Sequence, residues 1–158
     1  MTVIQDALFN TTQTETTTND HYTPKWVFDL LGVQFDIDVA APPNGVPWIP
    51  CDKYYTQADD GLVQPWAGLV WCNPPFSNIE PWIDRLIDHK NGIALLPHTK
   101  GAWRRKVWKY ADAIAEWDTL TEIRFMHNGK EKTIFPTTFL AAWGPVGVKA
   151  LSNIGRVR

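Results

Sequence analysis

Asn73-Pro74-Pro75-Phe76 is the segment of this sequence whose residue types and order could do chemistry. An exocyclic amine on an aromatic ring, such as adenine N6, is a poor nucleophile because its lone pair is delocalised into the ring. Two acceptors that grip both amine hydrogens favour a tetrahedral nitrogen and free that lone pair. The side-chain oxygen of Asn73 and the carbonyl of Pro74 can form this pair if they are held rigidly. Consecutive prolines supply the rigidity, fixing φ at 74 and 75 and restricting the residue before each. Phe76 can stack on a base drawn out of a duplex. Neither a metal nor a covalent nucleophile is needed. Asn-Pro-Pro by itself also fits a proline-rich turn that closes a strand. Phenylalanine in fourth place, an apolar run before it and a helical pattern after it favour the chemical reading.

The flanking elements must hold this loop. Leu69-Val70-Trp71-Cys72 is a short continuous apolar run, the pattern of a buried parallel strand, and the prolines stop it because they lack the N–H a ladder needs. Ile79, Trp82, Ile83, Leu86 and Ile87 then recur at helical spacing, with Glu80, Asp84, Arg85 and Asp88 outside. Residues 93–96 read as another buried strand and 102–111 as another helix. Upstream, Thr23 can cap a short helix, Pro24 suits its first position and Gly32 can end it. Phe35, Ile37 and Val39 alternate with Gln34, Asp36 and Asp38, which predicts a strand. Pro42, Pro43, Pro47 and Pro50 make the next stretch an irregular loop. Residues 123–126, a turn at 127–130 and residues 139–143 suggest antiparallel strands. The sum is a single-domain α/β fold, an open, mostly parallel sheet with an antiparallel edge. Ligands bind such sheets beyond the carboxyl ends of the strands, where Asn73 falls.

The totals narrow the field. A chain of 158 residues suits one domain. Six threonines in residues 11–18 and no apolar periodicity suggest a flexible tail over 1–20, with the folded domain at 21–158. Two cysteines, Cys51 and Cys72, supply neither a disulfide framework nor a thiol zinc site, and no metal is expected. No apolar run approaches a membrane span and no leader opens the chain, so a cytoplasmic protein is expected. A net charge of -2 means that phosphate contacts must come from a local patch. Most of the nine tryptophans are expected in the core.

Lys100, Arg104, Arg105, Lys106 and Lys109 provide one such patch. Helical spacing places Trp103, Val107 and Tyr110 on one face and Arg105, Lys106 and Lys109 on the other. That outer face is either an ordinary solvated surface or a DNA-contacting ridge. Pro50-Cys51 is the dipeptide of a cytosine-C5 nucleophile, but it stands in a proline-rich loop ahead of the amine-gripping segment. His98 lies at the ligand edge and is expected to be a hydrogen-bonded surface histidine. Phe125 and Phe135 could wall a flipped base, though core packing is the simpler expectation. Little room remains for a separate target-recognition domain, which leaves the loop at 42–58 and the hairpin around Asn128 to read sequence.

Taken in order, Tyr22-Thr23-Pro24, Phe35-Asp36-Ile37-Asp38-Val39-Ala40-Ala41, Tyr54-Tyr55-Thr56, Asp59-Asp60-Gly61-Leu62 with Trp66, and Asn73-Pro74-Pro75-Phe76 resemble the phage-type DNA N6-adenine methyltransferases related to the Dam enzymes. The resemblance spans nearly everything from His21 to Trp143. It implies a Rossmann-like, S-adenosylmethionine-dependent enzyme of phage or prophage origin that flips adenine from DNA. Its methylation would then shield viral DNA from host nucleases, in a restriction-modification setting. It further implies that Tyr22, Thr23 and Pro24 close over the methionine part of the cofactor. Asp38 would contact the methionyl amine with Ala40 beside it, and Asp60 would lie near the cofactor adenine with Leu62 against the ring. A carboxylate for the ribose hydroxyls should follow the second strand, with Asp52 a candidate. Two departures stand out. Ala40-Ala41-Pro42-Pro43-Asn44-Gly45 replaces a glycine-rich cofactor turn, and Asn73 stands where the Dam enzymes carry Asp. Adenine rests on the resemblance alone. Cytosine-N4 methylation, methylation of a glutamine amide, and a noncatalytic nucleic-acid-binding module remain alternatives.

Overall fold

A computed structural model describes residues 22–117, 124–127, 130–133, 137–154 and 156–157. The first helix, α1 (Lys25–Leu31), starts one residue later than the Thr-Pro pair suggests. Pro24 is extended at φ -69° and ψ 153°, so it takes the capping position instead of the first helical one. No side chain caps the helix, and Thr23 is therefore released from the role its position predicts. Gly32 ends the helix at φ 64°, where its N–H bonds to the Phe28 carbonyl at 3.0 Å. A left-handed residue at that place is the usual helix stop.

The remaining strands and helices form β1 (Phe35–Asp38), β2 (Cys51–Tyr54), β3 (Val70–Cys72), α2 (Glu80–His89), β4 (Gly92–Pro97), α3 (Trp103–Tyr110), β5 (Ala113–Glu116), β6 (Arg124–His127), β7 (Lys130–Thr133), β8 (Thr138–Trp143), α4 (Pro145–Leu151) and β9 (Arg156–Val157). Seven strands make one sheet in the order β2-β1-β3-β4-β8-β5-β9. β2, β1, β3 and β4 are parallel. β8 runs against both β4 and β5, and β9 runs against β5. The expected mostly parallel α/β sheet with an antiparallel side is therefore present. Among the described residues β6 and β7 pair with each other as a separate antiparallel sheet. This corrects the expected antiparallel strands at 123–126 and 139–143: β6 finds its partner in β7, which begins inside the expected turn, and β8 joins the main sheet.

Alternation along the strands sends side chains into two cores. Trp71, Ile93, Leu95, Leu140 and Ala142 meet α1 through Val27, Phe28 and Leu31, and meet α4 through Ala150 and Leu151. Val70, Cys72, Ala94, Leu96, Phe139 and Ala141 meet α2 through Trp82, Ile83 and Leu86, and meet α3 through Trp103 and Val107. Helices on both faces explain why β3 and β4 are apolar without alternation. Each fully buried aliphatic side chain contributes roughly 1.5–3 kcal/mol.

β2 corrects the reading of residues 42–58 as loop throughout. Its four residues are mostly exposed at the edge of the sheet, so it has no hydrophobic signature. Main-chain pairing with β1, from Phe35–Cys51 to Asp38–Tyr54, makes it a strand. β5, α4 and β9 were likewise not anticipated. The tail proposed at 1–20 lies outside the described residues.

The strand order sets the position of the site. From β1 the chain moves outward to β2, then returns to place β3 on the other side of β1. The connections leave β1 and β3 in opposite directions, the arrangement that leaves a crevice between two carboxyl ends. Open α/β sheets bind ligands at such a switch point.

Candidate active site

The carboxyl end of β1 is pinned from both sides. Val39 N–H bonds to the Trp71 carbonyl at 3.0 Å, and Tyr55 N–H bonds to the Asp38 carbonyl at 2.8 Å. The Asp38 side chain is only 2% exposed, although its place in the alternating pattern predicts an outward carboxylate. The sheet here is covered on both faces, so neither orientation reaches water freely. Burial pushes the Asp38 carboxyl up to about 7, and a 3.3 Å bond from the Ala40 N–H only partly offsets it. A carboxylate stripped of water in this way gains most from a cation brought beside it.

Asp38 pairs across the ladder with Trp71, so Asn73 follows two residues beyond Asp38's own partner. Asn73 and Pro74 lie at the crevice, Asn73 half-buried and Pro74 buried. Phe76 is half-buried and touches both cores, at the seam where the two faces of the sheet meet. The Asn78 N–H closes the loop on the Pro75 carbonyl at 3.0 Å. Thr23 enters from the start of α1. It is 1% exposed, and its Oγ1 accepts from Asn73 Nδ2 at 3.5 Å. Its carbonyl accepts from the Trp48 indole at 2.7 Å, and the Trp48 ring lies 6.4 Å from that of Tyr22.

A second loop crosses the end of β1. Gly61 packs so closely that a β-carbon there would stand 1.9 Å from the Val39 carbonyl oxygen, a contact only glycine permits. Asp60 before it is left-handed at φ 57°, and its Oδ1 accepts from the Leu62 N–H at 3.2 Å, a local turn that Asp tolerates. Arg85 of α2 anchors this loop, donating to the carbonyls of Leu62 and Gln64. Its guanidinium sits 4.4 Å over the Trp66 ring, and the Trp66 indole donates to the Gly61 carbonyl at 2.8 Å. The outward Arg85 of the helical pattern is thus a clamp, which periodicity alone did not reveal.

The sequence-derived candidates divide by place. Tyr22, Thr23, Pro24, Asp38, Ala40, Asp60, Leu62 and Asn73 to Phe76 belong to segments that meet at the carboxyl end of β1 and β3. Asp52 does not. It is the second residue of β2 and accepts from Gln34 Nε2 at 3.1 Å, beside the start of β1. Burial, with the nearby Asp38 charge adding to it, pushes the Cys51 thiol up to about 11. Cys51 is therefore poorly suited to attack as a thiolate. Burial likewise raises Cys72. His98 is held by Thr137 at 3.0 Å and by Glu116, the structural role expected of it.

Lys100, just before α3, and Arg104, Arg105 and Lys109 on it are exposed, but Lys106 is not part of the outer ridge. It bridges to Glu80 at 3.0 Å and Asp84 at 2.7 Å on α2, which raises its pKa. Tyr110, expected on the inner face, is exposed, with Lys109 Nζ 5.1 Å from its ring. Trp108, 61% exposed, stands among these cations, and the expectation that tryptophans go to the core had hidden it. Asn128 and Phe135 lie outside the described residues, as does the side chain of Phe125. Among the described residues no cluster of His, Cys, Asp or Glu could hold a metal, and no helix is long and apolar enough to cross a membrane.

The family described as DNA N-6-adenine-methyltransferase (Dam) matches residues 11–136. A protein of Haemophilus phage HP1 (strain HP1c1) named DNA N-6-adenine-methyltransferase is 27% identical over 117 residues. That alignment covers 67% of this chain and 65% of the relative, just under two-thirds of the relative's length. No solved structure matches.

Proposed function

This chain belongs to the DNA N-6-adenine-methyltransferase (Dam) family, and from that premise we propose that it transfers a methyl group from S-adenosylmethionine to the N6 amine of adenine in DNA. The observation that carries the reading is the pairing of Asp38 with Trp71, which sets a desolvated carboxylate and the Asn73 loop at the ends of adjacent strands. The residues present suit the cofactor. Asp38, raised by burial, would hold its ammonium group. Gly61 seats its loop directly on the end of β1, and Leu62 offers an apolar surface. Tyr22, Thr23 and Pro24 would close over the methionine part, with Ala40 and Asp60 lining the remainder. When bound, S-adenosylmethionine supplies a methyl group on a sulfonium, already primed for transfer.

The chain's own residues do the rest. Asn73 Oδ1 and the Pro74 carbonyl accept the two amine hydrogens and draw the nitrogen toward a tetrahedral shape. Pro75 stiffens the loop, and Phe76 stacks on a base flipped from the duplex. Lys100, Arg104, Arg105 and Lys109, with the exposed Trp108 among them, form the surface proposed to meet DNA phosphates. The family match, beginning at residue 11, supports DNA over a protein amide as substrate.

The test is to incubate the protein with methyl-labelled S-adenosylmethionine and unmethylated DNA, then digest and identify the labelled nucleoside. N6-methyl-2′-deoxyadenosine is expected. N4-methylcytosine would replace adenine by cytosine at the same loop, and an unlabelled digest would contradict the activity altogether.

A further inference from the structure

Thr23 is a buried polar residue that neither starts its helix nor serves the core, so its use must lie elsewhere. It is 1% exposed, and α1 draws no cap from it. A buried hydroxyl is ordinarily hydrogen-bonded, and the partner here is the Asn73 amide, fifty residues away, at 3.5 Å. Thr23 is itself tied down, because the Trp48 indole donates to its carbonyl at 2.7 Å. Three separate segments thus meet in one chain of contacts: the proline-rich loop at Trp48, the entry to α1 at Thr23, and the loop at Asn73.

From this chain we propose that Thr23, braced by Trp48, is a positioning residue that holds the Asn73 amide in place beside the substrate amine. The inference rests on the proposed function and names how its central acceptor is held. The Thr23 hydroxyl can accept or donate, so it grips the Asn73 side chain without choosing between its two ends. The contact is long, so it acts as a bias on the position of the side chain and not as a rigid lock.

The role separates from simple cofactor contact by what each changes. Wild type, Thr23→Val, Thr23→Ser and Trp48→Phe are compared at saturating S-adenosylmethionine and DNA, with S-adenosylhomocysteine affinity measured by calorimetry. Thr23→Val is expected to lower kcat about tenfold, a loss that saturating S-adenosylmethionine does not restore, whatever the change in S-adenosylhomocysteine affinity. Thr23→Ser should recover most of the rate, and Trp48→Phe should fall between. A readout independent of activity is the side-chain NH2 pair of Asn73 in the 15N spectrum of cofactor-free protein, assigned by its loss in Asn73→Asp. It should shift in Thr23→Val and return toward its wild-type position in Thr23→Ser. Weakened S-adenosylhomocysteine binding with unchanged kcat would overturn the proposal, since Thr23 would then serve the cofactor alone. An unmoved Asn73 resonance would overturn it too. If Thr23→Val does not fold, Trp48→Phe decides: a kcat and an Asn73 resonance both equal to wild type reject the idea. Wild-type protein that methylates no DNA would instead strike the proposed function, leaving the resonance arm to judge the Thr23 contact.

Discussion

The two ends of the parallel strands are built from different materials. At the carboxyl end the structure buries polar groups: Thr23 at 1%, Asp38 at 2%, and Thr138, opposite the last residue of β4, at 4% exposure. At the amino end, carboxylates stay at the surface and the interior is closely packed. Asp36 and Asp112 are exposed, and each accepts from a backbone N–H, of Leu69 at 2.6 Å and of Gly144 at 2.8 Å. Gly92 sits so close to Val70 and Leu86 that a β-carbon would meet them at 2.6 and 3.0 Å, and Gly147 packs against the Ala142 β-carbon and the Gly92 carbonyl. Burying a carboxylate away from water costs stability even when it accepts a hydrogen bond, whereas close apolar packing supplies it. The carboxyl end therefore gives up stability for chemistry, and the amino end carries the fold.

That division can be broken from either side. The largest effect is expected from Asn73→Ala, which removes an acceptor proposed to grip the amine. Methyl transfer should fall by roughly 10²–10³ in kcat while the thermal midpoint stays in place. Loss of both together would erase the distinction between the two ends.

Asp38→Asn should move function and stability in opposite directions. The folded pKa of about 7 lies above the ordinary 3.8, so the folded state holds this proton more tightly than the unfolded chain. Its favourable contribution is complete below about pH 4 and is lost as pH rises toward 7. Above pH 7 the variant should therefore be more stable than wild type, by on the order of 1–3 kcal/mol in denaturant titrations, yet bind S-adenosylhomocysteine at least about tenfold more weakly. In the proposed site the same carboxyl must ionise to meet the ligand's ammonium. Wild-type affinity should thus weaken as pH falls below 7, approaching about tenfold per unit. A variant less stable than wild type at pH 8 would mean that Asp38 is structural.

At the amino end, Gly92→Ala should cost about 1–3 kcal/mol through overpacking against Val70 and Leu86. Ligand affinity of the folded protein should not change, as calorimetry at low temperature would check. The smallest effect is expected from Arg105→Gln with Lys109→Gln. DNA binding should weaken with little sequence preference, and the slope of log affinity against log salt should drop by up to about 2. An unchanged slope would make that face an ordinary solvated surface.

What could be read beforehand follows the same division. The apolar run at Leu69–Cys72, the helix built on Trp82, Ile83 and Leu86, and the apolar β4 were legible because burial imposes periodicity on sequence. The Asn73 loop was legible because proline pairs are rare and rigid. β2 was not, since an exposed edge strand is held by main-chain bonds that leave no side-chain pattern. Lys106 and Arg85 looked like solvated charges because a helical wheel cannot see a neighbouring helix or loop. Thr23 was assigned to a cap on local grounds, whereas its partner comes from Asn73, far along the chain. Asp38 looked outward because alternation assumes one wet face, and this sheet has none at that point.

The claim on which the rest depends is that the crevice between β1 and β3 is the working site. A crystal structure of the protein with S-adenosylhomocysteine tests it most directly. The account predicts ligand density at the carboxyl ends of β1 and β3, with its amine on Asp38, its adenine by Leu62, and its sulfur toward Asn73. Density lodged elsewhere, or a β1–β3 crevice left empty at saturating ligand, would contradict it.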